Sequence, residues 1–187
     1  MRRSFVLPLP LVAGVALALA MATPGLATTL APWTLTDFVV NMNAAITGTV
    51  TGVDVRWNDE RTQIHSYVTI DLDEVVAGEP VSDPLVLDEL GGRVGRIIST
   101  LEGAPVYRTG ERVFVFVERV DNTRRTLGFF QGKYTLEADP TTGREVFVQR
   151  VPSGVAVAGP EGPQEPAPVV YGREELIARV RDIAGVK

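Results

Sequence analysis

Cysteine is absent from the 187 residues, and histidine occurs once, as His65. Without thiols there can be no disulfide, and the usual cysteine and histidine sets that hold zinc cannot be assembled. A serine hydrolase would need His65 partnered beside a nucleophile motif, and no such motif is present. Positive charge is also in short supply, with 18 Lys and Arg against 23 Asp and Glu. So acidic a chain repels phosphate backbones, which sets nucleic-acid binding aside. Long apolar runs are missing except for one near the start. That run, residues 11–22, is about 12 residues, where a membrane-spanning helix needs roughly 20.

The early run carries information of its own. Met1-Arg2-Arg3 is a short basic start, the apolar stretch follows, and Gly25 and Ala27 put small residues where a signal peptidase reads. This is the layout of a secretory signal peptide over residues 1–27, cut after Ala27. Arg2-Arg3 is read as the basic start rather than as a twin-arginine signal. No cysteine lies at the cleavage region, so a lipid anchor is excluded. The chain is therefore expected to be exported, to the periplasm or beyond the cell, with no transmembrane segment once the signal is gone. Removing Arg2 and Arg3 takes the basic count from 18 to 16 against 23 acidic residues, a net charge near −7. What remains, roughly 160 residues, is one domain's worth of chain. A domain of that size can bury a core without disulfides.

Residues 34–45 are expected to form a short helix. Leu35, Phe38, Val39 and Met42 share one helical face, and Thr34 with Asp37 makes a capping-box pattern. A long strand follows, with a change of phase around Thr51-Gly52 of the kind a β-bulge makes. Asn58-Asp59-Glu60-Arg61 is a polar turn. Val68, Ile70 and Leu72 then alternate with polar residues, and the phase slips again before Val75-Val76. Two long bulged strands point to a strongly coiled sheet. Leu85-Val86-Leu87 is a third strand that runs into Gly91-Gly92-Arg93-Val94-Gly95 and a loop through Gly110. Val113-Phe114-Val115-Phe116-Val117 is apolar on both faces, which marks a central strand covered on both sides. Residues 127–136 and 145–151 are two more strands, separated by a turn at Asp139-Pro140-Thr141-Thr142-Gly143.

The expected fold is all-β: a small closed or partly open antiparallel barrel of about six strands, with a helix at each end. Its domain spans residues 28–152. Residues 153–170, rich in glycine and proline, are expected to be flexible. Residues 171–187 hold a C-terminal amphipathic helix, with Leu176, Ile177, Val180 and Ile183 on the face that packs on the barrel.

Little in this pattern carries chemistry. Asp71, Asp73 and Glu74 form an acidic cluster, and a carboxylate hydrolase would need two such groups converging in a cleft with separated pKa values. Polar residues of period two on a strand ordinarily face solvent, so the cluster is expected there. Gly91-Gly92-Arg93-Val94-Gly95 lacks the lysine and hydroxyl of a phosphate loop and is expected to be a turn, with Arg93 and Arg96 beside it. Arg124-Arg125 is assigned to a hairpin tip. His65 is expected at a strand edge. Trp57, Tyr67, Phe129, Phe130 and Tyr134 are assigned to the barrel core and its lids, with a carbohydrate-binding face as the alternative. No catalytic, cofactor-binding or metal-binding residue is assigned, and no cofactor is expected.

One set of residues carries a resemblance. It comprises Ile46-Thr47-Gly48-Thr49-Val50, Val75-Val76-Ala77-Gly78, Gly91-Gly92 and Gly103-Ala104-Pro105-Val106-Tyr107. The set continues with Gly110-Glu111-Arg112-Val113-Phe114-Val115-Phe116 and Gly128-Phe129-Phe130-Gln131-Gly132-Lys133-Tyr134. Over about residues 34–150 the pattern resembles exported bacterial proteins of uncharacterised function with an OB-like barrel. It is distantly similar to the netrin-like domains, which include the tissue inhibitors of metalloproteinases. Those inhibitors present an N-terminal cysteine to a catalytic zinc, so the absence of cysteine here withdraws that mechanism and leaves the architecture. Gln131-Gly132-Lys133, the matched polar group, is expected to serve a hairpin. The resemblance implies the architecture. The well-patterned barrel, the Gly/Pro segment and the lack of a recognisable catalytic set lead to the expectation of a non-enzymatic exported module whose partner is another exported protein, including the case of a modulator of a secreted protease, with a carboxylate hydrolase or a small-ligand or carbohydrate binder as the alternatives.

Overall fold

The computed structural model describes residues 28–186; the expected signal segment lies outside them. A short strand β1 (Thr28–Leu30) leads to helix α1 (Leu35–Asn41). Thr34 caps that helix, its hydroxyl accepting from the Asp37 amide while the Asp37 carboxylate accepts from the Thr34 amide. The two bonds satisfy amide donors the helix cannot use itself. The helix stops earlier than the periodicity suggests, because Ala44 and Ala45 are already in strand β2 (Ala44–Trp57).

Strand β2 pairs antiparallel along its whole length with β3 (Ile64–Gly78), and three register shifts interrupt the ladder. One falls between Val50 and Gly52 and one opposite Val75, where the alternation changes phase in the sequence. Each shift adds a residue to one strand and increases its twist. The sheet therefore curls, and β4 (Leu85–Leu90) continues the curl from β3. On the other side β2 pairs with β7 (Arg112–Val120). The residues between β4 and β7 include a small hairpin, β5 (Gly92–Val94) and β6 (Ile97–Ser99), so the glycine-rich stretch is a strand pair rather than a plain turn. Gly91 has φ +98, and a Cβ there would lie 2.9 Å from the Ser99 carbonyl, so the hairpin can leave the sheet at this angle only with glycine.

Strand β7 divides its partners. Val113, Phe114 and Val115 pair with β9 (Lys133–Ala138), while Val117–Val120 pair with β8 (Thr123–Thr126). The turn between β7 and β8 is at Asp121-Asn122, so Arg124 and Arg125 belong to the strand and not to its tip. Residues 127–136 are not one strand: Gly128 and Phe129 take positive φ, and Phe129–Gly132 is a 3-10 turn before β9 begins. Strands β10 (Glu145–Gln149) and β13 (Val169–Gly172) complete an eight-stranded sheet in the order β13-β10-β9-β7-β2-β3-β4, with β8 on β7. The segment expected to be flexible instead supplies β11 (Val155–Gly159) and β12 (Gly162–Gln164), and β11 takes β1 as a parallel neighbour. Helix α2 (Arg173–Ala184) buries Leu176, Ile177 and Val180 against the sheet, as its periodicity predicts.

The all-β class holds, but the six-stranded barrel does not. There are thirteen described strands, and the curled sheet is not closed. Strand β4 comes close to β8 without forming a ladder with it, and the gap between them is bridged by a side chain of β4, Glu89, bonded to Thr126 of β8. Strand β7 has a core on each face, as its unbroken apolar run requires. Phe114 and Phe116 point to α1, α2, β9 and β10; Val113, Val115 and Val117 point into the curl of the sheet with Ile46, Val50, Val68, Ile70, Leu85 and Leu87.

Candidate functional site

Along β4, Leu85 and Leu87 face the inside of the curl, and alternation puts Glu89 next on that face. Glu89 is only 5 % exposed. Its Oε1 accepts two hydrogen bonds from Thr126 on β8, from the amide at 2.7 Å and from the hydroxyl at 2.6 Å. These bonds span the gap between β4 and β8. The Thr126 hydroxyl in turn lies 2.6 Å from the Tyr107 hydroxyl. Since Thr126 gives its proton to Glu89, Tyr107 donates to Thr126. Beyond the Tyr107 ring sits the Lys133 ammonium, 4.4 Å from its centre, bonded to Glu111 at 2.7 Å. A line of buried polar groups thus closes what the backbone leaves open.

Burial outweighs those hydrogen bonds at Glu89 and pushes its carboxyl up to about 7, with Arg125 pulling down and Asp88 adding slightly to the rise. Desolvation likewise lowers the Lys133 ammonium, despite the Glu111 bond, and raises the Tyr107 hydroxyl well above its ordinary value. Glu118 on β7 is raised by burial as well.

Two clefts meet at Glu89. The smaller, about 120 Å³, lies between Glu89, Leu101, Pro105, Glu118, Arg125 and Phe129. The larger, about 360 Å³, runs under the β5–β6 hairpin past Val55, Arg93, Ile98, Leu101 and Val106. Leu90, Leu101, Ala104 and Pro105 wall both. Both Thr126 bonds use Oε1, which leaves Oε2 of Glu89 without a hydrogen bond among the described residues. Around the rim Ile98 is 55 % exposed, Val106 61 % and Phe129 40 %, with Leu101 also exposed.

The residues singled out in the sequence lie elsewhere. Asp71 and Asp73 are exposed on the outer face of β3, and Glu74 is spent on an ion pair with Arg181 at 2.6 Å. His65 is not at a sheet edge. It sits between β2 and β4 and is buried, with Nδ1 on Asp88 and Nε2 unpartnered. The aromatic set is dispersed. Tyr67 stacks on Arg56, Phe129 is on the cleft rim, and Phe130 and Tyr134 border a separate groove of about 860 Å³ with Trp33 and Tyr171. In that groove the amides are engaged internally. The Trp33 amide donates to Gln131 Oε1, Gln131 Nε2 donates to the Ala31 carbonyl, and Gln149 Nε2 donates to the Gln131 carbonyl. Gln131 therefore clamps the N-terminal segment, and Lys133 belongs to the polar line, so the matched polar group does more than serve a hairpin.

Glu89 is the residue that sequence reasoning passed over. Its signal was present, since Leu85, Leu87 and Glu89 keep one alternation, but Asp88-Glu89 before two glycines looks like the solvated end of a strand. Among the described residues no group of three or more acidic or histidine side chains is placed to hold a metal ion. No described helix is long and apolar enough to cross a membrane. Comparison with family models, with curated proteins and with solved structures returns no match.

Proposed function

We propose that this chain is an exported, non-enzymatic binding module that takes a protein partner at the clefts meeting on Glu89. The supporting observation is the rim. Ile98, Leu101, Val106 and Phe129 are all exposed and all border one or both clefts. Single exposed apolar residues are ordinary, but a group gathered round one depression is a mark of a binding surface. The layout of residues 1–27 supports export. A narrower form of the same reading is an accessory or modulator of a secreted protease.

The test is site-specific photo-crosslinking of the mature protein in its own exported fraction. A crosslinker at Ile98 is expected to give one discrete adduct that Leu101→Asp abolishes, and a crosslinker at Asp71 to give none. Equal labelling at both positions, or none at Ile98 with turnover of a substrate, overturns the reading. The protease form is removed if a large excess of mature protein leaves co-exported metalloprotease activity unchanged.

One observation favours a second reading, a carboxylate hydrolase. Glu89 and Glu118 line the same small cleft and both carboxyls are raised by burial, an arrangement that suits a general acid. The small size of that cleft favours the binding-module reading. A cavity of about 120 Å³ is smaller than the roughly 150 Å³ that holds one benzene, and Glu118 does not reach the larger cleft.

A further inference from the structure

The geometry points to a lysine side chain of the partner as the group that fills the larger cleft, its ammonium seated on Oε2 of Glu89. This rests on the binding-module reading and gives that surface its chemistry. Three features favour such an occupant. The cleft is walled by Leu90, Leu101, Ala104 and Pro105, which suits an aliphatic stem, and its lining includes the buried Glu89, whose Oε2 has no hydrogen bond among the described residues. An amphipathic side chain of this kind buries its stem on apolar surface and carries its charge at the tip. Next, a single oxygen is on offer, because Thr126 occupies Oε1 twice. A guanidinium prefers a carboxylate that can accept two parallel bonds, whereas a compact ammonium is satisfied by one strong acceptor. Finally, the volume of about 360 Å³ leaves room for a lysine side chain.

The surroundings set the sign of the pH dependence. Asp88 on the same strand is bonded to His65, and Glu118 on β7 and Arg125 on β8 face the small cleft. Arg93 on β5 borders the large one. Tyr107 stays neutral at working pH, and Lys133 on β9 is balanced by Glu111. Glu89, raised to about 7, changes charge near neutral pH where the two clefts meet, and it must give up its proton to take a cation. Affinity for an ammonium then falls about tenfold for each pH step below 7.

The probe is Nα-acetyl-lysine methylamide, titrated into the mature protein and followed by backbone amide shifts of Leu90 and Leu101. Its comparators are the norleucine analogue, which has the stem without the charge, together with n-butylamine and butyrate. Binding of the lysine probe is expected at pH 8 and about 100-fold weaker at pH 5. Norleucine should bind at least tenfold more weakly, and Glu89→Gln, which keeps the acceptor for Thr126, should cost at least tenfold. Binding of n-butylamine at least tenfold tighter than that of the lysine probe would assign the site to free amines and overturn the lysine assignment. Preference for butyrate, equal binding of norleucine, or no change with pH would overturn the ammonium anchor itself. Wild-type protein alone decides those last three outcomes. The Ile98 crosslink reports separately on whether a partner binds at all.

Discussion

The two faces of β7 bury cores of opposite character. On one face Phe114 and Phe116 meet Phe38, Tyr134 and Phe147, with ring centres between 4.7 and 6.5 Å apart, and both helices cover them. On the other, Val113, Val115 and Val117 meet aliphatic residues from β2, β3 and β4, and a buried polar line of Glu89, Thr126 and Tyr107 crosses the edge. The aromatic core is closed mainly by apolar contact, its one buried polar link among the described residues being the Gln149 amide on the Tyr134 hydroxyl. Its aliphatic counterpart ends in a carboxyl that costs stability to bury, and the clefts open at that end. The stable core and the proposed recognition surface are thus divided between the faces of a single strand.

Truncating the aromatic side tests this division most severely. Phe114→Ala is expected to cost about 3–5 kcal/mol by urea unfolding, since Phe114 is fully buried and touches Phe116, Tyr134 and Phe147. If it costs no more than a surface change, the aromatic face is not the stable one. Glu89→Gln goes in the opposite direction. In the folded chain Glu89 holds its proton up to about pH 7, against an ordinary value of 4.5, so stability falls as pH rises through that window and stays low above it. Glutamine removes this loss, and about 3 kcal/mol of stability is expected at pH 8 and almost none at pH 4. Identical melting curves for the two proteins across that range would show that the seam carries no such cost. The smallest effect is expected at Thr126→Val, about 1–3 kcal/mol, because it removes the hydroxyl that Glu89 and Tyr107 share, leaving Tyr107 without that partner and Glu89 with only the residue-126 amide. A neutral result there would mean that water or another group can take the hydroxyl's place.

Local pattern accounts for how much of this was legible. The bulges in β2 and β3 announce themselves as slips in alternation, α1 as a capping box, and β7 as an apolar run with nothing polar on either face. Each is written within a few neighbouring residues. The open seam is not. Whether β4 pairs with β8 depends on where β7 changes partner, and Glu89 finds Thr126 at a distance of 37 residues along the chain. Residues 153–170 mislead for a related reason. Their glycines and prolines suit turns, but β11 pairs with β1, more than a hundred residues earlier, and no local composition encodes that partner.

The clamp at Gln131 has a consequence in time. Ala31 and Trp33 are held by an amide about a hundred residues downstream, and Gln131 is itself held by Gln149. A chain is made from its amino end, and domains consolidate as the later parts arrive. The contacts that hold Ala31 and Trp33 therefore cannot form until Gln131 and Gln149 have been made, long after the residues they fix.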